Sequence, residues 1–378
     1  MIYTITLNPA LDRALWVKNA DYDVSNRVMD ETNYAGGKGI DVSIALANLG
    51  IKNCAIGFLG GETGKMLENK LKEKGIITKF IKISEETRVN ILINVQSTGK
   101  QIPLNFPGPH LDSCDLNKLK SLIKNELGSS CYDDQSRDIS ILARDTAIDA
   151  ARSDRHVQTV NPPNVVTIGG SLPPGVQASA YTDIIEIARE KGATVILDAD
   201  GEALKVGINA KPDIIKPNLE ELRNFVGCRS LNQTKAIIKA ARKIHNKDGI
   251  RIVLVSLGSR GIILVSDEGE YMAKIPYKVQ AKAKYTIGAG DSAIAGFIYG
   301  IVHGMDHKES LICAAAAGTA ATISLSKKKD FNKPLWQKND FDESLCQKED
   351  FDKLIPLIRE HLKIYQDHSS GTCKPSSG

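Results

Sequence analysis

Asp291 follows Gly288-Ala-Gly290 directly, inside the stretch Thr286-Ile-Gly-Ala-Gly-Asp-Ser-Ala-Ile-Ala-Gly-Phe297. Gly288, Ala289 and Gly290 are too small to cover their own backbone. Their N–H groups can converge on an anion at the start of a helix, where the dipole also favours negative charge. A carboxylate beside such an anion hole would repel a bound phosphate. The placement makes chemical sense when the carboxylate takes a proton from a hydroxyl about to attack that phosphate. The stretch therefore reads as a phosphoryl-transfer site with Asp291 as base, against the plainer reading of a glycine-rich helix start that Asp291 merely caps. A lone G-x-G turn does not decide between them.

Further residues of the right types lie upstream. Asp12 comes just after the short strand Thr4-Ile-Thr-Leu7 and the Asn8-Pro9 stop, where a carboxylate could accept hydrogen bonds from two sugar hydroxyls or simply hold a turn. In Tyr34-Ala-Gly-Gly-Lys-Gly-Ile40 the pair Gly36-Gly37 lets the backbone approach a ligand, and Lys38 puts a point charge at a helix start. Arg27 lies before this turn, and Arg88 and Asn90 lie after it in the β-branched run 87–94. Each basic residue alone reads as a solvated surface charge. Three of them around one Gly-Gly turn suggest a pocket for a phosphorylated small molecule.

These residues need elements to hold them. Strand patterns at 165–175 (the last part a Gly/Pro turn), 193–198, 213–218 and 251–258 alternate with helical patterns at 181–191, 219–226 and 233–247. That rhythm predicts an α/β fold with a parallel sheet and helices on both faces, with the polar motifs at one sheet edge. The segments 13–33 and 87–107 are strand-like and predict a small β-sheet that covers the site as a lid and excludes water. The polar stretch 128–163, around one predicted helix at 139–151, reads as an insertion. Residues 326–350 read as a second one, charged and irregular, and the tail 366–378 as disordered. The small-residue helix over 311–322 is expected to pack closely on the turn before Asp291.

Composition sets outer bounds. The chain has 378 residues, 25% of them charged and 42% hydrophobic, with 49 basic against 45 acidic side chains. The resulting +4 is too slight to argue for nucleic acid or a membrane surface. Seven scattered cysteines without a C-x-x-C pair, and no leader pattern or membrane-length apolar run, lead us to expect a cytoplasmic protein with free thiols.

Taken in order, Thr6-Leu-Asn-Pro-Ala-Leu-Asp12, Gly36-Gly-Lys-Gly-Ile40, Gly57-Phe-Leu-Gly-Gly61, Gly170-Ser-Leu-Pro-Pro-Gly175, Lys216-Pro-Asn218, Glu221, Ser256-Leu-Gly258, Gly261 and Gly288-Ala-Gly-Asp291 resemble the motifs of the ribokinase-like (PfkB) carbohydrate kinases. The likeness is to their hexose-phosphate branch and covers residues 1 to about 325. It implies a three-layer α/β/α domain over 1–365 and an ATP-dependent, Mg²⁺-assisted phosphotransferase, with K⁺ as a monovalent cation. Asp291 would be the base, and Gly288, Ala289 and Gly290 the anion hole. Asp12, Gly36, Gly37, Asp41 and Asn90 would hold the sugar, and Lys38, Arg88 and a partner subunit's copy of Arg27 its phosphate. Lys216 and Asn218 would face the nucleotide phosphates, with Glu221 on Mg²⁺ through water. Ser256, Gly258 and Gly261 would line the nucleotide, with Ala317 and Gly318 near its base. A homodimer through the lid sheet is expected by the same likeness.

Asp41 stands where this family usually has Asn, and Asp198-Ala-Asp-Gly201 replaces its D-x-S-G. The expected reaction is phosphorylation of fructose 1-phosphate to fructose 1,6-bisphosphate. Tagatose 6-phosphate or fructose 6-phosphate is the alternative acceptor, and a non-catalytic sugar-phosphate or nucleotide binding regulator the alternative class. A dinucleotide-dependent dehydrogenase is set aside, since the first strand is followed by Asn8-Pro9 instead of G-x-G-x-x-G.

Overall fold

Aliphatic and β-branched runs of two to nine residues supply the strands, and the patterned stretches between them supply the helices. The computed structural model describes residues 1–128, 164–280, 288–327 and 346–365, without the side chains of 324–327. In chain order the strands are β1 (Ile2–Thr6), β2 (Ala10–Val17), β3 (Val28–Gly36), β4 (Asn53–Gly60), β5 (Ile77–Ile83), β6 (Arg88–Val95) and β7 (Lys100–Leu104). They continue with β8 (Val165–Gly169), β9 (Thr194–Asp198), β10 (Ile214–Ile215), β11 (Ile252–Ser256), β12 (Ile262–Ser266), β13 (Gly269–Ala273) and β14 (Leu362–Tyr365). The helices are α1 (Lys38–Asn48), α2 (Gly61–Glu73), α3 (Ser113–Gly128), α4 (Ser179–Glu190), α5 (Gly201–Ile208) and α6 (Leu219–Val226). After them come α7 (Thr234–Asp248), α8 (Tyr277–Gln280), α9 (Ala289–Val302), α10 (His307–Lys327) and α11 (Lys348–Arg359).

The main sheet has ten strands in the order β14-β13-β12-β11-β10-β9-β8-β1-β4-β5. From β11 through to β5 every pairing is parallel. The expectation of a parallel sheet holds there and fails at one edge, where β11 to β14 pair antiparallel. The reason is local. Only Asp267 and Glu268 separate β12 from β13, a connection that closes a hairpin and leaves no room for a crossover helix.

Two apolar layers flank the sheet. One packs α1, α2, α9, α10 and α11 against it, and the other packs α3, α4, α5, α6 and α7. Helices α9 and α10 meet through small side chains, with Ala314, Ala315, Ala316 and Ala317 all buried. The close packing expected of that helix is therefore present. A buried polar chain fixes α1: Thr4 on β1 donates to the Ser43 hydroxyl (2.6 Å), which donates to Asn53 Oδ1 on β4 (2.7 Å). Because each buried group has its partner, sliding α1 along the sheet would strand at least one of them.

The small sheet is separate, with order β3-β2-β6-β7, and matches the two segments predicted as a lid. Helix α2 begins at Gly61, earlier than its sequence pattern suggests. The expected insertion at 326–350 is helical at both ends. Helix α10 runs to Lys327, and α11 starts at Lys348 with its charges paired one turn apart, Lys348 with Asp352 and Glu349 with Lys353. Residues 328–345, the insertion at 129–163 with its predicted helix at 139–151, and the tail 366–378 lie outside the described residues. No described helix is long and apolar enough to cross a membrane.

Candidate active site

Strand β9 ends in Asp198, and its carboxylate is the hub of the cleft at the carboxyl edge of the sheet. Lys38 Nζ lies 3.2 Å from Asp198 Oδ1 and Lys216 Nζ 3.3 Å from it, and the carboxylate is 2% exposed. Burial alone would raise its pKa, but Lys216 and Lys38 outweigh burial and hold it below the usual carboxylate range. Burial pulls the other way on Lys38, and Asp198, Asp291 and Glu221 keep its ammonium firmly protonated. Two lysines around one carboxylate leave a net positive charge in a place with little water. That is an environment for a phosphate chain.

Asp291 lies in the first turn of α9, whose N-terminal cap is Gly288 at φ 74°. This left-handed backbone is one that glycine adopts without steric penalty. The residues expected to form the anion hole and the carboxylate thus share one helix start, as the sequence predicts. A Cβ added at Gly290 would lie 3.3 Å from Lys216 Nζ, which puts that ammonium beside the turn. Burial, reinforced by repulsion from Asp198 and opposed by Lys38 and Lys216, moves the Asp291 pKa to about 6. Such a carboxylate is mostly ionised at neutral pH and basic enough to take a proton.

Strands β2, β3 and β6 bring the sugar-side residues together: Asp12 pairs with Tyr34 on one side and Asn90 on the other. Asn90 Nδ2 donates to Asp12 Oδ1 (2.7 Å), while Asn90 Oδ1 accepts from the Phe106 N–H (3.1 Å). A Cβ at Gly36 would sit 2.1 Å from Asp12 Oδ2, so a side chain there would push the Asp12 carboxylate out of its place. Burial raises Asp12 to about 6 against the lowering effects of Asn90 and Arg88.

Arg88 also lies here, with both terminal nitrogens bonded to the protein and its buried Nε without a described partner. Nη1 donates to Phe106 O (2.8 Å), and Nη2 to Asn8 O (2.8 Å) and Ser171 Oγ (3.2 Å). Arg27 is not brought to this group within one chain. It is exposed beyond β3, while Gly36 ends that nine-residue strand, so roughly 30 Å separates them at about 3.3 Å per residue.

On the nucleotide side, Asn218 caps α6. Its side-chain oxygen accepts from the N–H groups of Glu220 and Glu221 (2.9 Å each), and Glu221 Oε2 accepts from Asn218 N (2.7 Å). This reciprocal box occupies the Asn218 oxygen and one oxygen of Glu221. Burial raises the Glu221 pKa. Ser256 bridges to Asn218 at the end of β11, and Gly258 (φ 60°) and Gly261 (φ 113°) bound the short 3₁₀ turn that follows. Ala317 is wholly buried between helices. A Cβ at Gly318 would lie 2.9 Å from Ala289 O, which places that glycine directly behind the anion turn.

Asp198, Asn8 and Ser171 are the members that sequence reasoning did not include. Asp198 carried a signal, an acidic residue at a strand exit. Asn8 and Ser171 stood inside quoted motifs with no charge to single them out.

No described group of three or more His, Cys, Asp or Glu side chains could by itself hold a metal ion. Glu221 has one oxygen outside the cap, near Lys38, Lys216 and Asp198. That donor set fits Mg²⁺ held mainly by phosphate oxygens and water.

The chain matches the pattern described as pfkB family carbohydrate kinase over residues 5–127 and 129–330. It is 30% identical to a 1-phosphofructokinase of Borreliella burgdorferi, over 89% of this chain and 97% of that protein. It is 32% identical to a tagatose-6-phosphate kinase of Staphylococcus epidermidis, over 84% and 91%. Among solved structures it is similar to phosphofructokinase-2 of Escherichia coli in complex with potassium, at TM-score 0.76 and 27% identity over 94% of this chain and 98% of that one.

Proposed function

The chain belongs to the pfkB family of carbohydrate kinases, and from that premise we propose that it transfers the γ-phosphoryl group of ATP to a hydroxyl of a ketohexose phosphate. Fructose 1-phosphate, giving fructose 1,6-bisphosphate, is the acceptor we favour. The observation that carries the reading is Asp291: an ionisable carboxylate with a pKa of about 6 beside a glycine turn and a lysine cluster.

In the proposed reaction Asp291 accepts the proton of the attacking hydroxyl. The N–H groups of Gly288, Ala289 and Gly290 bond the oxygens of the group in transit. Lys216 and Lys38 balance the charge of the phosphate chain, with Asp198 fixing both ammoniums. Asp12 and Asn90 orient the sugar hydroxyls, and Arg88 presents positive potential to the sugar's phosphate from its backbone-anchored position. Mg²⁺, when bound, would neutralise phosphate charge beside Glu221. Closure of the small sheet would keep water from competing with the sugar hydroxyl.

Similar identity to a tagatose-6-phosphate kinase supports a second acceptor reading within the same chemistry. ADP release with Mg-ATP against fructose 1-phosphate, tagatose 6-phosphate, fructose 6-phosphate and fructose tests both. Preference for the 1-phosphate is expected. Preference for a 6-phosphate would move the assignment, and silence across the panel would sink it.

The active form we propose is a homodimer joined through the small sheet. The distance of Arg27 from its own cleft and the exposed apolar residues Val28, Met29, Ile102 and Leu104 support it. A monomeric mass in solution at working concentration would overturn that arrangement. The relative solved with potassium motivates a monovalent-cation requirement, and equal rates in potassium and tetramethylammonium buffers would exclude it.

A further inference from the structure

Three elements converge on the Arg88 guanidinium at the start of β6: the Asn8 connection between β1 and β2, the strap 105–112 that leads from β7 to α3, and Ser171 beyond β8. The acceptors they offer are all neutral, two backbone carbonyls and a hydroxyl. A guanidinium held by neutral oxygens is fixed in place with its charge uncancelled, whereas a carboxylate partner would have to be displaced by an incoming phosphate. Asn8 touches all three supports. Its own carbonyl accepts from Arg88 Nη2 (2.8 Å), and its side chain, 2% exposed, donates from Nδ2 to Pro107 O (2.8 Å) and Ser171 Oγ (3.3 Å). Pro107 is the neighbour of Phe106, whose carbonyl takes Arg88 Nη1. The strap lies directly against the amide: Gly108 has φ 94°, and a Cβ there would be 2.2 Å from Asn8 Oδ1. That oxygen is buried without a described partner, yet the reversed amide would set it against the Pro107 carbonyl. The amide is thus turned to serve the strap and the hydroxyl at the cost of one unsatisfied oxygen.

Resting on the kinase reading above, we propose that Asn8 is the positioning residue for Arg88: without touching the acceptor, its amide sets the guanidinium for the phosphate that the ketose already carries. Its influence runs to acceptor affinity alone. The Asn90–Asp12 pair is independent of it, because β2 and β6 place those two residues side by side and bond them at 2.7 Å. Asp291 and the lysines around Asp198 belong to other elements, α9, α1 and the end of β10. Loosening the strap therefore moves Arg88 and leaves the base and the nucleotide side in place.

The test is a double-mutant cycle on the ketose phosphate that the wild type prefers, with kcat, acceptor KM and KM for Mg-ATP measured for the wild type, Asn8→Ala, Arg88→Ala and the double variant. Asn8→Ala is expected to lower kcat/KM for the acceptor by about tenfold, the scale of one lost hydrogen bond to a charged group, through acceptor KM, with kcat and KM for ATP unchanged. In the Arg88→Ala background the same substitution should cost nothing further. Equal losses in both backgrounds, the mark of a merely structural residue, or a loss confined to kcat, would overturn the proposal while leaving the kinase reading intact. Asn8→Asp keeps the volume, replaces the donor by an acceptor and brings a carboxylate towards the guanidinium. It is expected to lose at least as much, so the result does not hang on the alanine variant folding, and wild-type acceptor KM in it would also overturn the proposal. Absence of turnover on any ketose phosphate by the wild type would overturn the kinase reading and this inference with it.

Discussion

At the exit of β9 one carboxylate lies between two lysines, 3.2 and 3.3 Å away. Across the cleft, Asp12, Asp41 and Asp291 face one another with no described cation bonded to them. Both groups are shielded from water, yet the first holds its cations in direct contact and the second does not. Against the effect of burial, Lys216 and Lys38 hold Asp198 below the usual carboxylate range, and it serves as a fixed electrostatic floor. In the second group Asp12 and Asp291 have pKa values of about 6, where protons can be exchanged. In our reading, phosphate binding is assigned to the end where charge is settled, and chemistry to the end where it is not.

Removing the base tests the unsettled end most severely. Asp291→Asn is expected to lower kcat by about 10³- to 10⁴-fold, the upper range for positioned proton acceptors, with acceptor and ATP binding near normal by calorimetry. Equal activity in the two proteins would end the assignment. The settled end is broken by Asp198→Asn, which leaves Lys38 and Lys216 without the one carboxylate that contacts both. Loss of one buried partner costs about 3 kcal/mol, read as a lower urea midpoint. An unchanged midpoint would mean that water already screens the lysines and that the contrast between the two ends is false.

A smaller effect comes from pH alone. With Asp291 near 6, wild-type kcat should fall about tenfold per unit below that value and level off above it. A kcat flat down to pH 5 would show that no such base limits turnover. Asn218→Ala sharpens the edge of the settled region. Losing the cap should cost about 1 kcal/mol of stability with little change in KM for ATP, whereas a direct phosphate ligand would show the reverse.

Much of the arrangement could be read from local spacing. Helix α6 has the predicted bounds, and Asp291 lies at a helix start as its spacing suggests; Asp12, expected in a turn, is instead inside β2, where the adjacent strands bring it to Asn90 and Gly36. What escaped was set by distance along the chain. Lys38 was assigned to the sugar's phosphate because it follows a Gly-Gly turn, yet its ammonium reaches Asp198, 160 positions later. Nothing near Lys38 encodes that partner. Asn218 and Glu221 are ambiguous in the other direction: their three-residue spacing serves equally as a capping box and as a ligand pair, and the local bonds occupy the Asn218 oxygen and one oxygen of Glu221. The antiparallel edge was missed because β12 and β13 carry buried apolar residues in the same way as parallel strands do, and the four-residue β14 has none.

Arg88 sits where the small sheet meets the floor of the cleft, tied to Asn8 and Ser171 at one end of β6. The far ends of β2 and β3 have no comparable anchor among the side-chain bonds described. There Trp16 and Val17 of β2 and Val95 of β6 are buried, so the small sheet is held by directional polar bonds at the cleft and by non-directional apolar packing away from it.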